Sequence, residues 1–267
     1  MKVLVTGGTG ALGRPLVRAL TRAGHTVRVM SRRPRRASAA GDTEWAQADI
    51  ASGDGVRAAV DGVDAVIHAA TDPRRPNAVD VGGTRHVIEA ARSTGVRHII
   101  YVSIVGIDEI PFPYYKAKVS AEAIVAGSGV PHTIVRATQF HALIDMLLSF
   151  VGRVPVVMPL PAGVMFQSVA ESDVADRLVE CLADGPRGRA ADVGGPDVLP
   201  LREMARTWMD VRSVRKTIIP VPIPGRVAAG FRAGRNTTSH GVRGAIRWRE
   251  WLEARTMKEK SLDDDLS

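Results

Sequence analysis

Short apolar runs and helical spacings alternate along the first half of the chain. Lys2 to Thr6 is an apolar run that stops at glycines, the pattern of a buried parallel strand. Ala11 to Ala23 has helical spacing and ends at Gly24, a natural C-terminal stop. Strands are then expected at Thr26 to Ser31, Glu44 to Ala48, Val63 to His68, His98 to Ser103 and His132 to Arg136. Between them, Val56 to Val60, Ala78 to Arg92 and Tyr115 to Ala126 read as helices, the last two closed by Gly95 and by Gly127 with Gly129. Alternation of this kind with short connections builds right-handed crossovers. The expected fold is α/β, a doubly wound parallel sheet covered on both faces.

The texture changes after about residue 150. Val154 to Pro161 is proline-rich and apolar, and Glu171 to Ala183 is a helix that could still pack on the sheet. Asp192 to Asp197 reads as a loop, Leu201 to Val211 as a helix, Lys216 to Val221 as extended and Pro224 to Ala233 as a helix. Arg235 to Gly241 is polar and expected to be mobile. Arg243 to Arg255 reads as a last helix carrying Trp248 and Trp251, and the charged end as disordered. There is no internal repeat.

Composition narrows the function classes. The 267 residues carry 36 basic and 28 acidic side chains, a formal net charge of +8, scattered except for Arg32, Arg33, Arg35 and Arg36. Without interleaved aromatics or a binding motif, nucleic acid is not an expected partner. No apolar run reaches the roughly 18 residues of a membrane span. The chain opens directly on a strand pattern without signal-peptide architecture, and its one cysteine, Cys181, cannot form an internal disulfide. A cytoplasmic location is expected.

The chemistry begins at Thr6-Gly7-Gly8-Thr9-Gly10-Ala11-Leu12-Gly13. Gly7 permits a tight turn, Gly10 lets backbone approach a pyrophosphate, and Gly13 lets the helix pack close to the strand. Backbone N–H groups at the helix start then meet phosphate charge. Gly7, Thr9, Gly10, Ala11, Leu12 and Gly13 are therefore expected to hold a dinucleotide in a Rossmann-like domain. NAD sites commonly place an acid at the end of the second strand; here Ser31, Arg32 and Arg33 stand there, which suits the 2′-phosphate of NADP(H) over NAD(H). The expected division is 1–153 for NAD(P) binding, 154–254 for the substrate side and 255–267 as a disordered tail.

With these residues the chain resembles the atypical short-chain dehydrogenase/reductase superfamily, nearest its NmrA-like, NAD(P)H-binding group. The resemblance rests on the glycine turn, Ala48-Asp49-Ile50, His68-Ala69-Ala70, Tyr101-Val102-Ser103, Tyr114-Tyr115-Lys116-Ala117-Lys118, Arg136-Ala137-Thr138-Gln139-Phe140 and Ser172-Asp173-Val174-Ala175, covering roughly residues 1 to 185. It implies that Asp49 lies near the adenine and that Ala69, Ala70 and Thr71 line the cofactor. It further implies that Thr138, Gln139 and Phe140 flank the nicotinamide. Relatives commonly read Arg-Pro where this chain has Arg136-Ala137.

Tyr114 and Lys118 are four residues apart and share a face if both are helical. An ammonium near a phenol lowers the phenol's pKa toward working pH, and such a tyrosine can move the proton that accompanies hydride transfer. Tyr115 has Val119 at that spacing, so Tyr114 is the candidate. Ser103 would hydrogen-bond the substrate oxygen, and the three resemble the superfamily's Ser, Tyr and Lys group. The leading expectation is an NADP(H)-dependent oxidoreductase acting on a small apolar carbonyl or quinone. Phe140, Met146, Leu147, Met158, Met165 and Phe166 would wall its substrate cleft. Two alternatives stay open: a non-catalytic NAD(P) redox sensor with a protein partner, favoured by Pro111 and Pro113 before the tyrosine, and a nucleotide-sugar epimerase-like enzyme. Seven histidines show no paired metal-ligand spacing, so no metal site is expected. His68, His141, Cys181, Trp248 and Trp251 are read as packing residues.

Overall fold

A computed structural model describes residues 1–34 and 43–264, with side chains through Ser261. Arg35 and Arg36 lie outside the described residues. The chain runs β1 (Lys2–Thr6), α1 (Gly13–Arg22), β2 (Thr26–Ser31), β3 (Glu44–Gln47), α2 (Val56–Val60) and β4 (Ala65–His68). A π-helical turn (Asn77–Gly82) leads into α3 (Gly83–Thr94), then β5 (His98–Ile104), α4 (Pro113–Ala126) and β6 (His132–Ala137). The remainder is α5 (His141–Val151), β7 (Val157–Pro161), β8 (Met165–Phe166), α6 (Glu171–Asp184), β9 (Gly188–Arg189), β10 (Val193–Gly194), β11 (Leu199–Pro200), α7 (Leu201–Val211), β12 (Thr217–Val221), α8 (Arg226–Arg232), β13 (Val242–Arg243) and α9 (Trp248–Asp264).

The main sheet has nine strands in the order β13-β10-β6-β5-β4-β1-β2-β3, with β9 also beside β6. All its pairings are parallel, so the doubly wound fold holds. From β1 the chain builds outward through β2 and β3, then returns to place β4 on the other side of β1. The order of strands thus reverses between β1 and β4, where ligands lodge beyond the strand ends in this architecture. One face is closed by α1 and α6 over Val3, Val5, Leu16 and Leu178. The other is closed by α2, α3 and α4 over Leu4, Val66, Ile99 and Tyr101. A separate core joins α5, α7 and α9 around Leu148, Met158, Trp208 and Trp248.

Three segments differ from expectation. The loop at Asp192–Asp197 contains β10, whose Val193 pairs with Ala137 of β6; two residues are too short to show periodicity. The polar stretch after Arg235 is packed: Asn236 is 0% exposed, and its Nδ2 donates to Gln139 Oε1 at 3.1 Å and to Met165 O at 2.9 Å. Helix α9 continues past Arg255 to Asp264, where a disordered tail was expected. Arg255 bonds Glu259 one turn on, and Arg212, just past α7, bonds Glu259 at 3.0 Å, so Glu259 of the stretch read as a solvated end is ion-paired.

Candidate functional site

Gly7 sits at φ +70, and a Cβ there would lie 2.9 Å from Ala69 O and from Ala70 Cα. A Cβ on Gly13 would overlap the backbone of Gly7 and Gly8. The turn therefore exists in this form only with glycine at both positions, and the loop leaving β4 lies directly against it. Gly10 N donates to Gly7 O at 2.9 Å and tightens the turn. Thr9, Gly10 and Ala11 are exposed at its tip, while Leu12 is buried beneath.

One hydrogen-bond line locks the ends of β1 and β4 together. Thr84 Oγ1 donates to Asp80 O, so His68 must donate from Nε2 to Thr84, at 3.0 Å. His68 Nδ1 then accepts from Thr6 Oγ1 at 2.8 Å, and Thr6 Oγ1 accepts from Ala70 N at 3.1 Å. Burial, with the Lys118 charge second, lowers the His68 pKa to about 3, so the ring is neutral. His68 is a structural histidine that sets where Ala69 and Ala70 leave the sheet.

Pro113 occupies the first turn of α4, where its missing N–H costs nothing. Tyr114 and Lys118 are both helical as a result, and Pro113 does not separate them. Their contacts differ from the expected pair. Tyr114 O–H donates to Thr71 Oγ1 at 2.7 Å, because Thr71 spends its own proton on Asp80 Oδ1 at 2.6 Å. Asp80, 1% exposed, also accepts from Asp72 N at 3.2 Å. Lys118, 3% exposed, donates to Val102 O at 2.8 Å, lies 3.7 Å from Asp80 Oδ1 and sits 4.2 Å over the Tyr101 ring. No hydrogen bond joins Tyr114 to Lys118 among the described residues. Burial, reinforced by the Asp80 charge, pushes the Tyr114 phenol well above its usual range, opposite to the expected lowering. Burial also lowers the Lys118 pKa to about 8, against the pull of Asp80 and Glu122. Glu122 itself belongs to Arg136, which it grips through both oxygens at 2.7 and 2.6 Å.

Asp80 was not read from the sequence, yet it is the common partner of Thr71 and Lys118. Asp80→Asn leaves a buried ammonium without its carboxylate. Stability should fall by about 3 kcal/mol in urea unfolding, and Lys118→Met in the same chain should restore part of it. Loss below about 0.5 kcal/mol would show the pair to be energetically idle.

Ser103 is 2% exposed at the end of β5, and its Oγ has no hydrogen-bond partner among the described residues. The same is true of Thr138 Oγ1 and Gln139 Nε2 beyond β6. Such orphaned buried groups are uncommon and point to a ligand. Phe140 precedes α5 and packs against the α1–α6 core. Arg32 and Arg33 are exposed beyond β2, with Ser31 Oγ accepting from Arg33 N at 3.1 Å. Asp49 is half-buried and spends one oxygen on Ala51 N at 2.9 Å, a turn contact. The residues present thus fit a dinucleotide: glycine backbone at the phosphates, cations at the second strand and unsatisfied polar groups beyond β5 and β6. No group of acids, histidines and cysteine suited to a metal occurs among the described residues.

The expected apolar wall is not formed as such. Met158 and Phe166 are buried in the α5–α7–α9 core, and Met146 is 62% exposed on α5. Around the tyrosines stand Ile107, Ile110 and Tyr115, with Val227 and Phe231 of α8 laid over them. His141 is buried between Ser168 and the Ile246 carbonyl, Cys181 is buried, and Trp248 stacks on Trp251 at 5.8 Å.

The profile of the NAD(P)H-binding family matches residues 7–185. A (4-alkanoyl-5-oxo-2,5-dihydrofuran-3-yl)methyl phosphate reductase from Streptomyces griseus is 35% identical over 208 residues, which cover 75% of this chain and 70% of that protein. A 3 beta-hydroxysteroid dehydrogenase/Delta 5-->4-isomerase from Mycobacterium tuberculosis is 37% identical over 160 residues, 48% of this chain and 43% of that protein. In fold, the chain is similar to an NADPH-dependent quinone oxidoreductase from Escherichia coli solved with NADPH, at a TM-score of 0.78 and 18% identity over 95% of this chain and 99% of that one. From the matched profile and the reductase relative together, the chain belongs to the NAD(P)H-binding family, as an atypical short-chain dehydrogenase/reductase.

Proposed function

We propose that the chain is an NADP(H)-dependent reductase of a small apolar carbonyl or quinone-like compound, with Tyr114 as proton donor. The observation that carries this is the line Tyr114–Thr71–Asp80, with Lys118 on its far side. When bound, the nicotinamide supplies the hydride. Tyr114 holds its proton at neutral pH, so it is set to give one to a substrate oxygen rather than take one. The phenolate left behind accepts the Thr71 hydroxyl proton, which turns from Asp80 to it. The Lys118 ammonium offsets the Asp80 charge. Ile107, Ile110, Val227 and Phe231 keep the surroundings dry and favour an apolar substrate. Reductase chemistry in the Streptomyces griseus relative supports the reaction class.

The test is loss of reduced-nicotinamide absorbance with a panel of apolar aldehydes, ketones and quinones. Turnover of at least one class is expected; no turnover across the panel would overturn the reading. Cofactor choice has its own test. Arg32→Ala should weaken NADPH binding at least about tenfold and leave NADH unchanged, as expected for losing a charge-assisted contact to a 2′-phosphate. Equal loss for both dinucleotides would remove Arg32 from that role.

A further inference from the structure

The two-stranded sheet of β7 and β12 has one face buried and one bare. Met158 and Leu160 turn inward at 0% and 2% exposure. Opposite them, Ile219 and Val221 stand out at 43% and 37%, in register with Pro159 and Pro161. The chain continues as Pro222-Ile223-Pro224-Gly225-Arg226, so the eight residues from Ile219 to Arg226 are all exposed. Beside them Val156 is 75% exposed at φ +62, a backbone conformation that β-branched residues rarely adopt. Its carbonyl accepts from Thr217 N at 3.0 Å, which fixes it next to β12.

This apolar edge is ringed by one sign of charge. Leu201 to Arg232 holds seven basic residues and only two acidic ones, Glu203 and Asp210. Asp210 is taken by Arg249 of α9, and Arg212 pairs with Asp145 and Glu259. Arg202, Arg206, Arg215, Lys216, Arg226 and Arg232 have no carboxylate partner among the described residues. Arg202 and Arg206, one turn apart on α7, join Lys216, Met209, Ile218 and Pro220 around a depression of about 380 Å³.

We propose that this face docks the protein on an anionic phospholipid surface. Lipid phosphates would sit at Arg202, Arg206 and Lys216, with Val156, Ile219, Val221 and Ile223 entering the headgroup–acyl boundary. Two other occupants fit poorly. A second copy in a two-fold contact would set these cations against their own counterparts. An added peptide strand would meet Pro159 and Pro161 on β7 and Pro220 on β12, which offer no N–H. The exposed loop leads straight into α8, which covers Tyr115, so a docked bilayer would lie at the approach to the site. The docking is independent of the reductase reading and can fail without it.

The test is flotation of the full chain with phosphatidylglycerol-containing vesicles against pure phosphatidylcholine vesicles, at low and high salt. Partitioning should be at least about tenfold stronger on the anionic vesicles and should weaken with salt. Arg202→Glu with Arg206→Glu should cost at least about tenfold, and Ile219→Ser with Ile223→Ser several-fold, in proteins whose thermal unfolding is unchanged. If a variant fails to fold, the salt series on the unaltered chain decides. No binding to anionic vesicles, equal binding to neutral ones, or a concentration-dependent dimer dissolved by Ile219→Ser would each overturn the proposal.

Discussion

Gly13→Ala should abolish dinucleotide binding. A methyl group there would meet Gly8 Cα at 2.5 Å and Gly8 C at 2.6 Å, and the Gly7 carbonyl closer still. These are backbone atoms, so no side chain can move aside. Gly7 in turn rests against Ala69 and Ala70, and Ala70 is tied through Thr6 to His68. The turn must shift away from the start of α1, and its N–H groups then no longer converge on a phosphate. NADPH affinity should fall at least about 100-fold, or about 3 kcal/mol, and stability by about 2 kcal/mol. Gly24→Ala is the control. That residue has φ +78 and nothing within 4 Å, so alanine should cost about 1 kcal/mol of stability and leave NADPH binding intact. Calorimetric titration and urea unfolding of both variants separate the two effects. NADPH affinity unchanged in Gly13→Ala would mean that the dinucleotide is not held at this turn.

The second large effect is on turnover. Tyr114→Phe keeps the ring against Phe112 and Tyr115 and removes only the hydroxyl donated to Thr71. Thr71 retains Asp80, so the fold should be almost unaffected. kcat should fall by about 100-fold to 10,000-fold with the NADPH Kd unchanged. Tyr115→Phe should cost far less, because Tyr115 is buried against Ile107 and Ile110. The pH dependence follows from Lys118. Its protonated form is lost as pH rises through about 8, and the Asp80 charge then opposes a phenolate at Tyr114 without compensation. kcat should therefore decline above about pH 8, and this limb should be missing from Lys118→Met. Full activity in Tyr114→Phe would transfer the proton step to another group.

The architecture was legible because buried parallel strands are apolar runs and α3 and α4 stop at Gly95 and Gly127. Lys2 to Thr6, Gly13 and the α4 spacing carried that information locally. The site's polar partners were not legible in the same way. Asp80 lies in Asn77-Ala78-Val79-Asp80, where helical spacing says nothing of a contact with Lys118, far along the chain. Asn236 sits in a polar stretch whose composition is that of a loose loop, yet it closes on Gln139. The expected effect of Lys118 on Tyr114 failed for the same reason. Spacing placed both on one helix, but it could not show that Asp80 stands between their charges or that burial dominates the phenol. Met158 and Phe166 looked like cleft residues because hydrophobicity does not say which of two cores a side chain enters.

Whether this site holds a phosphorylated dinucleotide is tested most directly by calorimetric titration of the full chain with NADPH and, separately, with NADH. One NADPH per chain should bind with a micromolar Kd, and NADH at least about tenfold more weakly. Absence of binding by either dinucleotide at about millimolar concentration would contradict the central claim.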